Sequence, residues 1–180
     1  MMSFLGKLVP IAIVVVVVAG QASAQEPGDA VWRHDAFDNE DGARVHALSF
    51  AIPETDAWLF NAECAEGDEG PSIPVMLALD FGARDNAEEV EVRFRIEDYE
   101  ATYAGSVAIV SEEYAGIGVE LGVDDAFWPA LRRGNALDVG IVGEEMRSIS
   151  LRGSNDPVRR FVDSCSQIFA EPESSAAPAK

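Results

Sequence analysis

Basic residues are scarce in this chain of 180: 13 Lys and Arg stand against 32 Asp and Glu, a formal net charge of −19. Without a positive field the protein cannot attract phosphate backbones or anionic lipid surfaces, so general nucleic-acid binding and peripheral attachment to anionic membranes are excluded. Histidine is limited to His34 and His46, cysteine to Cys64 and Cys165, and lysine to Lys7 and Lys180. Nucleophilic catalysis by Ser or Cys needs a base within reach, and two imidazoles leave little choice of one. No Cys-x-x-Cys redox pair and no Gly-x-Ser-x-Gly nucleophile elbow is present. What remains is 48% apolar against 25% charged, the make-up of a folded protein whose length fits one domain.

The first segment reads as an export signal. Residues 1–7 carry one positive charge, residues 8–20 are an uncharged run centred on five valines, and Ala22-Ser23-Ala24 has small residues where signal peptidase needs them. Cleavage is expected between Ala24 and Gln25. The apolar run is too short for the roughly 20 residues that span a bilayer as a helix, so no stable membrane anchor is expected after cleavage. No cysteine lies near the cleavage site for lipid attachment. The expected location is periplasmic or secreted. Beyond the signal at 1–24, the chain divides into a polar leader at 25–29, a single β-rich domain at 30–169, and a Pro-, Ser- and Ala-rich tail at 170–180 with too little apolar content to order itself.

Export places Cys64 and Cys165 where disulfides persist, and an even pair in an exported chain is most simply one bridge. A two-cysteine metal site would need further ligands nearby, and neither histidine has ligand spacing to either cysteine.

Strand periodicity dominates the domain. Residues 90–97 alternate apolar and charged without a break, the pattern of a strand with one face in the core and one in water. His46, Leu48, Phe50 and Ile52 follow the same spacing, as do Trp58, Phe60, Ala62 and Cys64, which points Cys64 inward. Residues 73–81 are apolar enough for a central strand, and 107–110, 117–121, 136–142 and 146–151 complete the set. Two segments switch to helical period. Residues 124–134 begin with acids, end with arginines and stop at Gly134; Pro129 limits this helix to a short one. Asp156-Pro157 reads as a cap and first helical residue, after which Val158, Phe161, Val162, Cys165, Ile168 and Phe169 form one apolar stripe. The expected fold is mainly β: an antiparallel β-sandwich or half-barrel, with a short helix and a C-terminal amphipathic helix tied by the disulfide.

Residues 73–165 run as a strand, a charged turn, Val90-x-x-Arg93-Phe94, a turn, Phe127-x-x-x-Leu131-x-x-Gly134-x-x-Leu137, then Ile149-Ser150-Leu151-Arg152-Gly153 and a helix ending in Phe161-Val162-x-x-Cys165. That order resembles small periplasmic proteins associated with type VI secretion (VasI-like) and related exported proteins of unknown function. The resemblance implies the same architecture and disulfide, and a role in secretion; it carries no catalytic residue. Arg95 stands where an Asp commonly follows the Arg-Phe pair, Asn61-Ala62-Glu63-Cys64 lacks the usual Leu, and further N-terminal cysteines are absent.

No catalytic residue, cofactor or metal site emerges from the motifs. His46 falls among the apolar residues of its strand, and His34 in Trp32-Arg33-His34-Asp35 has no partner Ser or Cys. The acid pairs Glu88-Glu89, Glu112-Glu113, Asp124-Asp125 and Glu144-Glu145 fall at turns or helix starts, where solubility and capping account for them. Calcium is the most plausible ion for residues 38–42 and 66–70, yet neither loop has the Asp-x-Asp-x-Asp-Gly order with a distal Glu. Trp32, Trp58 and Trp128 are either a ligand platform or core. Charge is unevenly placed: residues 53–125 hold 3 Arg against 19 acids, whereas 126–165 hold 6 Arg against 5 acids. If the fold separates these segments, a basic exported protein could be steered to the acidic face. The expectation is a non-enzymatic binding or accessory protein of the cell envelope. The alternative is a secreted hydrolase using carboxylates, with or without calcium.

Overall fold

Nine strands and two helices follow one another in the computed structural model, which describes residues 30–68, 70–111 and 114–170. The expected signal peptide with its expected Ala24/Gln25 cleavage site, the segment expected as a polar leader and the residues beyond 170 lie outside the described residues. In chain order the elements are β1 (Val31–Asp38), β2 (Arg44–Ala51), β3 (Trp58–Ala65), β4 (Ser72–Leu77), β5 (Glu89–Ile96), β6 (Tyr99–Ile109), β7 (Ala115–Gly122), α1 (Phe127–Arg133), β8 (Ala136–Ile141), β9 (Arg147–Ser150) and α2 (Asn155–Ala170). All nine strands join one antiparallel sheet in the order β1-β2-β3-β4-β7-β6-β5-β8-β9. Of the two expected architectures the protein adopts the half-barrel: the sheet curls far enough for the Trp32 indole on β1 to donate to the Ser150 carbonyl on β9 at 2.8 Å.

The concave side is the core. Leu48 and Phe50 of β2, Phe60, Ala62 and Cys64 of β3, Val75 and Leu77 of β4, Val92 and Phe94 of β5, Val119 and Leu121 of β7 and Val139 of β8 all turn inward at period two. The two helices fill the hollow. Phe127 and Trp128 of α1 are buried, Phe127 packing edge-on against Phe94 at 5.2 Å and Trp128 against Phe161 of α2 at 5.7 Å. The disulfide joins Cys64 on the inward face of β3 to Cys165 on the buried face of α2, with 5.9 Å between the Cα atoms.

Several boundaries depart from the sequence reading, each for a physical reason. The strand expected over 107–110 overlaps the end of β6, which runs from Tyr99 to Ile109; Glu100, Thr102, Gly105 and Ser106 lower the apolar content of its first part, and pairing to β5 and β7 holds it extended. β4 stops at Leu77 rather than running to Phe81, because the Leu79 N–H turns back onto the Leu77 carbonyl at 2.8 Å. β1 is extended by its pairing to β2, with only Trp32 of its eight residues fully buried. Helix α2 begins one residue before the expected Asp156 cap. Ser154 accepts the Val158 N–H on its carbonyl and donates its hydroxyl to the Leu131 carbonyl of α1, so one buried serine joins the two helices. Ala170, assigned to the tail, is the last residue of α2.

Gly134 stops α1 as expected, but with an ordinary extended backbone (φ −73°). The need there is for room: a Cβ would lie 2.2 Å from the Ile96 side chain.

Candidate functional site

On the face of the sheet turned away from the helices, the side chains of β4, β7, β6 and β5 enclose a groove of about 640 Å³. The strand registers generate it. One row across the sheet reads Met76, Gly118, Ser106, Glu89, and the next reads Pro74, Glu120, Ala104, Glu91. Gly118, Ser106 and Ala104 make a low floor. Met76, Pro74 and Glu120 rise on one side, Glu89 and Glu91 on the other, with about 14 Å between the outer strands from three inter-strand spacings. No Lys or Arg lines the groove. Glu120 is oriented by the Ser72 hydroxyl, which donates to its carboxylate at 2.6 Å. All three glutamates are exposed.

Pro74 shapes the wall. The Ala78 N–H reaches the Leu59 carbonyl of β3, so residues 74, 76 and 78 of this segment direct their backbone groups toward β3. Proline has no N–H to donate, and the β3–β4 ladder ends at Val75. Further across this outer face, the Trp58 ring packs on Tyr114 at 4.7 Å, and Asn61 donates to both the Tyr114 hydroxyl and the Glu63 carboxylate at 3.0 Å.

Sequence-singled residues fall in several places. The three tryptophans do not form a platform: Trp32 and Trp128 are core, Trp128 donating to the Gly122 carbonyl at 2.8 Å, and only Trp58 is on the outer face. His34 and His46 come together, Nε2 to Nδ1 at 3.1 Å, on the inner side next to α2. Burial lowers both imidazole pKa values; for His34 the other ring and Arg160 add to this while Asp35 opposes it, and for His46 Arg44 adds and Glu66 opposes.

In the loops considered for calcium, Asn39, Glu66 and Asp68 spend side-chain oxygens on backbone N–H groups, and Asp38 pairs with Arg44 at 3.1 Å. Asn39 accepts the N–H groups of Asp41 and Ala43 in the β1–β2 turn, Asp68 accepts that of Ala65, and Glu66 accepts that of Arg44. Among the described residues no group of three or more His, Cys, Asp or Glu is gathered to hold a metal ion.

Glu112 and Glu113 lie outside the described residues, and the other acid pairs take up separate partners. Glu88 and Glu144 both pair with Arg84, and Glu89 alone of its pair faces the groove. Asp125 holds the start of α1, accepting the Phe127 N–H at 2.7 Å and the Tyr103 hydroxyl at 2.8 Å, with Tyr99 and Tyr103 hydroxyls 2.6 Å apart. Burial raises the pKa of both phenols, so they remain neutral hydrogen-bonding groups.

The uneven charge has a spatial counterpart. The groove strands all come from the acid-rich segment 53–125, whereas Arg132, Arg133, Arg159 and Arg160 lie on the helices of the opposite side. The alternation of residues 90–97 already places Glu91 on a water-facing side. The groove floor gave no such signal, because Ala104, Ser106 and Gly118 have no period of their own.

No protein-family model and no curated protein sequence matches the chain. Among solved structures, it is similar to the crystal structure of invasion associated protein B from Bartonella henselae, with 13% identity, 75% of this chain and 95% of that chain covered, and a TM-score of 0.44. No residue and no role is transferred from that likeness.

Proposed function

We propose that this chain is an exported, non-enzymatic binding or accessory protein of the cell envelope, and that it takes an extended basic segment of an exported partner into the groove of its outer face. The observation that carries this reading is the wall of Glu89, Glu91 and Glu120 around a floor of Gly118, Ser106 and Ala104, with no cation of its own to neutralise it. Lys or Arg side chains entering the groove would meet three carboxylates, while their aliphatic stems lie against Met76 and Pro74.

The disulfide supports a compartment that keeps thiols oxidised. No helix among the described residues is long and apolar enough to cross a membrane. A place in secretion, implied by the resemblance to VasI-like proteins, belongs to this proposal. The hydrolase alternative asks for an acid kept protonated by an enclosed site, and these carboxylates stand in water.

The test is titration of the oxidised protein with a fluorescent Arg/Lys-rich peptide of extended conformation. Glu89→Gln, Glu91→Gln and Glu120→Gln should each weaken binding several-fold. Equal neutralisation away from the groove, at Glu54, Asp56 and Asp98, should leave it unchanged at the same ionic strength. Equal weakening by both sets would mean nonspecific attraction to an acidic surface and would overturn the groove assignment.

A further inference from the structure

The first strand, β1, is an edge of the sheet, and its outer face is self-complementary. Trp32 turns inward, so Val31, Arg33, Asp35 and Phe37 share the opposite face. Read along the strand that face is apolar, positive, negative, apolar. Val31 and Phe37 are 42% and 46% exposed, among the few large apolar side chains left in water, and the Arg33 and Asp35 side chains between them are half exposed.

The hydrogen-bond phase of β1 is fixed. The Asn39 N–H bonds the Ala43 carbonyl across the β1–β2 turn, so the odd-numbered residues of β1 direct their backbone groups to β2. Trp32, His34 and Ala36 therefore direct their N–H and C=O groups away from β2, toward the sheet edge, where the Trp32 indole crosses on the inner side to Ser150 of β9. A second β1 strand approaching antiparallel about a two-fold axis must match these even positions with even positions. Three central registers satisfy that condition. Centred on residue 33, the pairing sets Arg33 against Arg33; centred on residue 35, it sets Asp35 against Asp35. Centred on His34, it sets Arg33 against Asp35 twice and Val31 against Phe37 twice, while Trp32 pairs with Ala36 through the backbone. The odd residues then occupy the non-hydrogen-bonded positions, where facing side chains come closest.

We infer that β1 is a homodimer interface, and that two copies of this chain join edge to edge in the register centred on His34, continuing one sheet into the other. This interface is separate from the groove: β1 and the groove strands are divided by β2 and β3. The Arg33–Asp35 pair within each chain, at 3.2 Å, is exchanged on assembly, the two intrachain pairs of a dimer becoming two pairs between chains. Assembly thereby pairs the backbone row of β1 that β2 does not and covers the two exposed apolar side chains, Val31 and Phe37.

Sedimentation equilibrium of the purified oxidised protein at pH 7.5 and one fixed salt concentration tests the inference. A reversible monomer–dimer equilibrium is expected. Arg33→Asp and Asp35→Arg each place like charges opposite one another at two symmetric sites, and each should raise the dimer Kd about ten-fold or more. The double exchange, Arg33→Asp with Asp35→Arg, restores complementarity in the same register and should return Kd to near the native value. Phe37→Lys is an independent disruption that leaves both central charges in place, should a reversal fail to fold. Monomers throughout the concentration range, dimers indifferent to both single reversals, or a folded double exchange that stays monomeric would each overturn the register.

Discussion

His34 and His46 share a hydrogen bond in the plane of their rings. The ring centroids are 5.3 Å apart and the planes differ by 13°, so the 3.1 Å nitrogen contact together with the two ring radii nearly spans the centroid distance. One imidazole donates and the other accepts, an arrangement that tolerates one added proton but not two. Both pKa values are lowered in the folded protein, mainly by burial. The unfolded chain therefore binds protons first. The stabilising contribution is present above the unfolded value near 6.5 and is lost as pH falls from there through the lowered folded values. Thermal unfolding followed at pH 7.5 and 5.5 should show a drop in Tm that is smaller in the His34→Gln, His46→Gln double variant. An equal drop in both proteins would assign the acid sensitivity to other groups.

Replacing both cysteines by serine removes a cross-link between residues 101 positions apart. The loop-entropy description gives up to about 4.7 kcal/mol for a closure of that length, and native strain commonly brings it to about 2–4 kcal/mol. Denaturant titration should find the loss in that range, and reduction of the native protein should reproduce it. A smaller loss would mean that α2 is held chiefly by Phe161 and Val158 in the hollow of the sheet.

Tyr103→Phe deletes a hydroxyl that both donates to Asp125 and meets Tyr99. The expected destabilisation is about 1–3 kcal/mol, from the partners left unsatisfied at the start of α1. Tyr114→Phe, which loses its bond to Asn61 on the outer face, should cost less; urea unfolding of the two variants side by side makes the comparison.

Two glycines of β7 should behave oppositely. A Cβ at Gly116 would stand 2.2 Å from the Leu77 carbonyl oxygen, so Gly116→Ala must shift the strand and should cost about 1–3 kcal/mol. At Gly118 the nearest atom is the Met76 sulfur at 3.6 Å, an ordinary contact, and Gly118→Ala should be close to neutral in a thermal melt. If Gly118→Ala also unfolds the protein, the groove floor is more tightly built than its open volume implies.

Local pattern along the chain was enough for the class of fold, the inward face of β5 and of β3 from Phe60 to Cys64, and the pairing of the cysteines, whereas Trp58 leaves that line where the β2–β3 register shifts. Alternation in residues 90–97 and the stripe of α2 are local consequences of where apolar side chains must go, and with two cysteines only one bridge is available. Tertiary structure alone decided the strand order, which carries the chain from β4 past β7 and β6 before β5 is placed. Such pairings join residues far apart in the chain, and no local pattern encodes them. Long-range pairing also holds the small and polar stretch of β6 extended, brings His34 against His46 and aligns Glu89, Glu91 and Glu120 around one groove. The unequal charge was legible as a count along the chain; which side of the sheet faces each half of it was settled only when the strands paired and the helices filled the hollow.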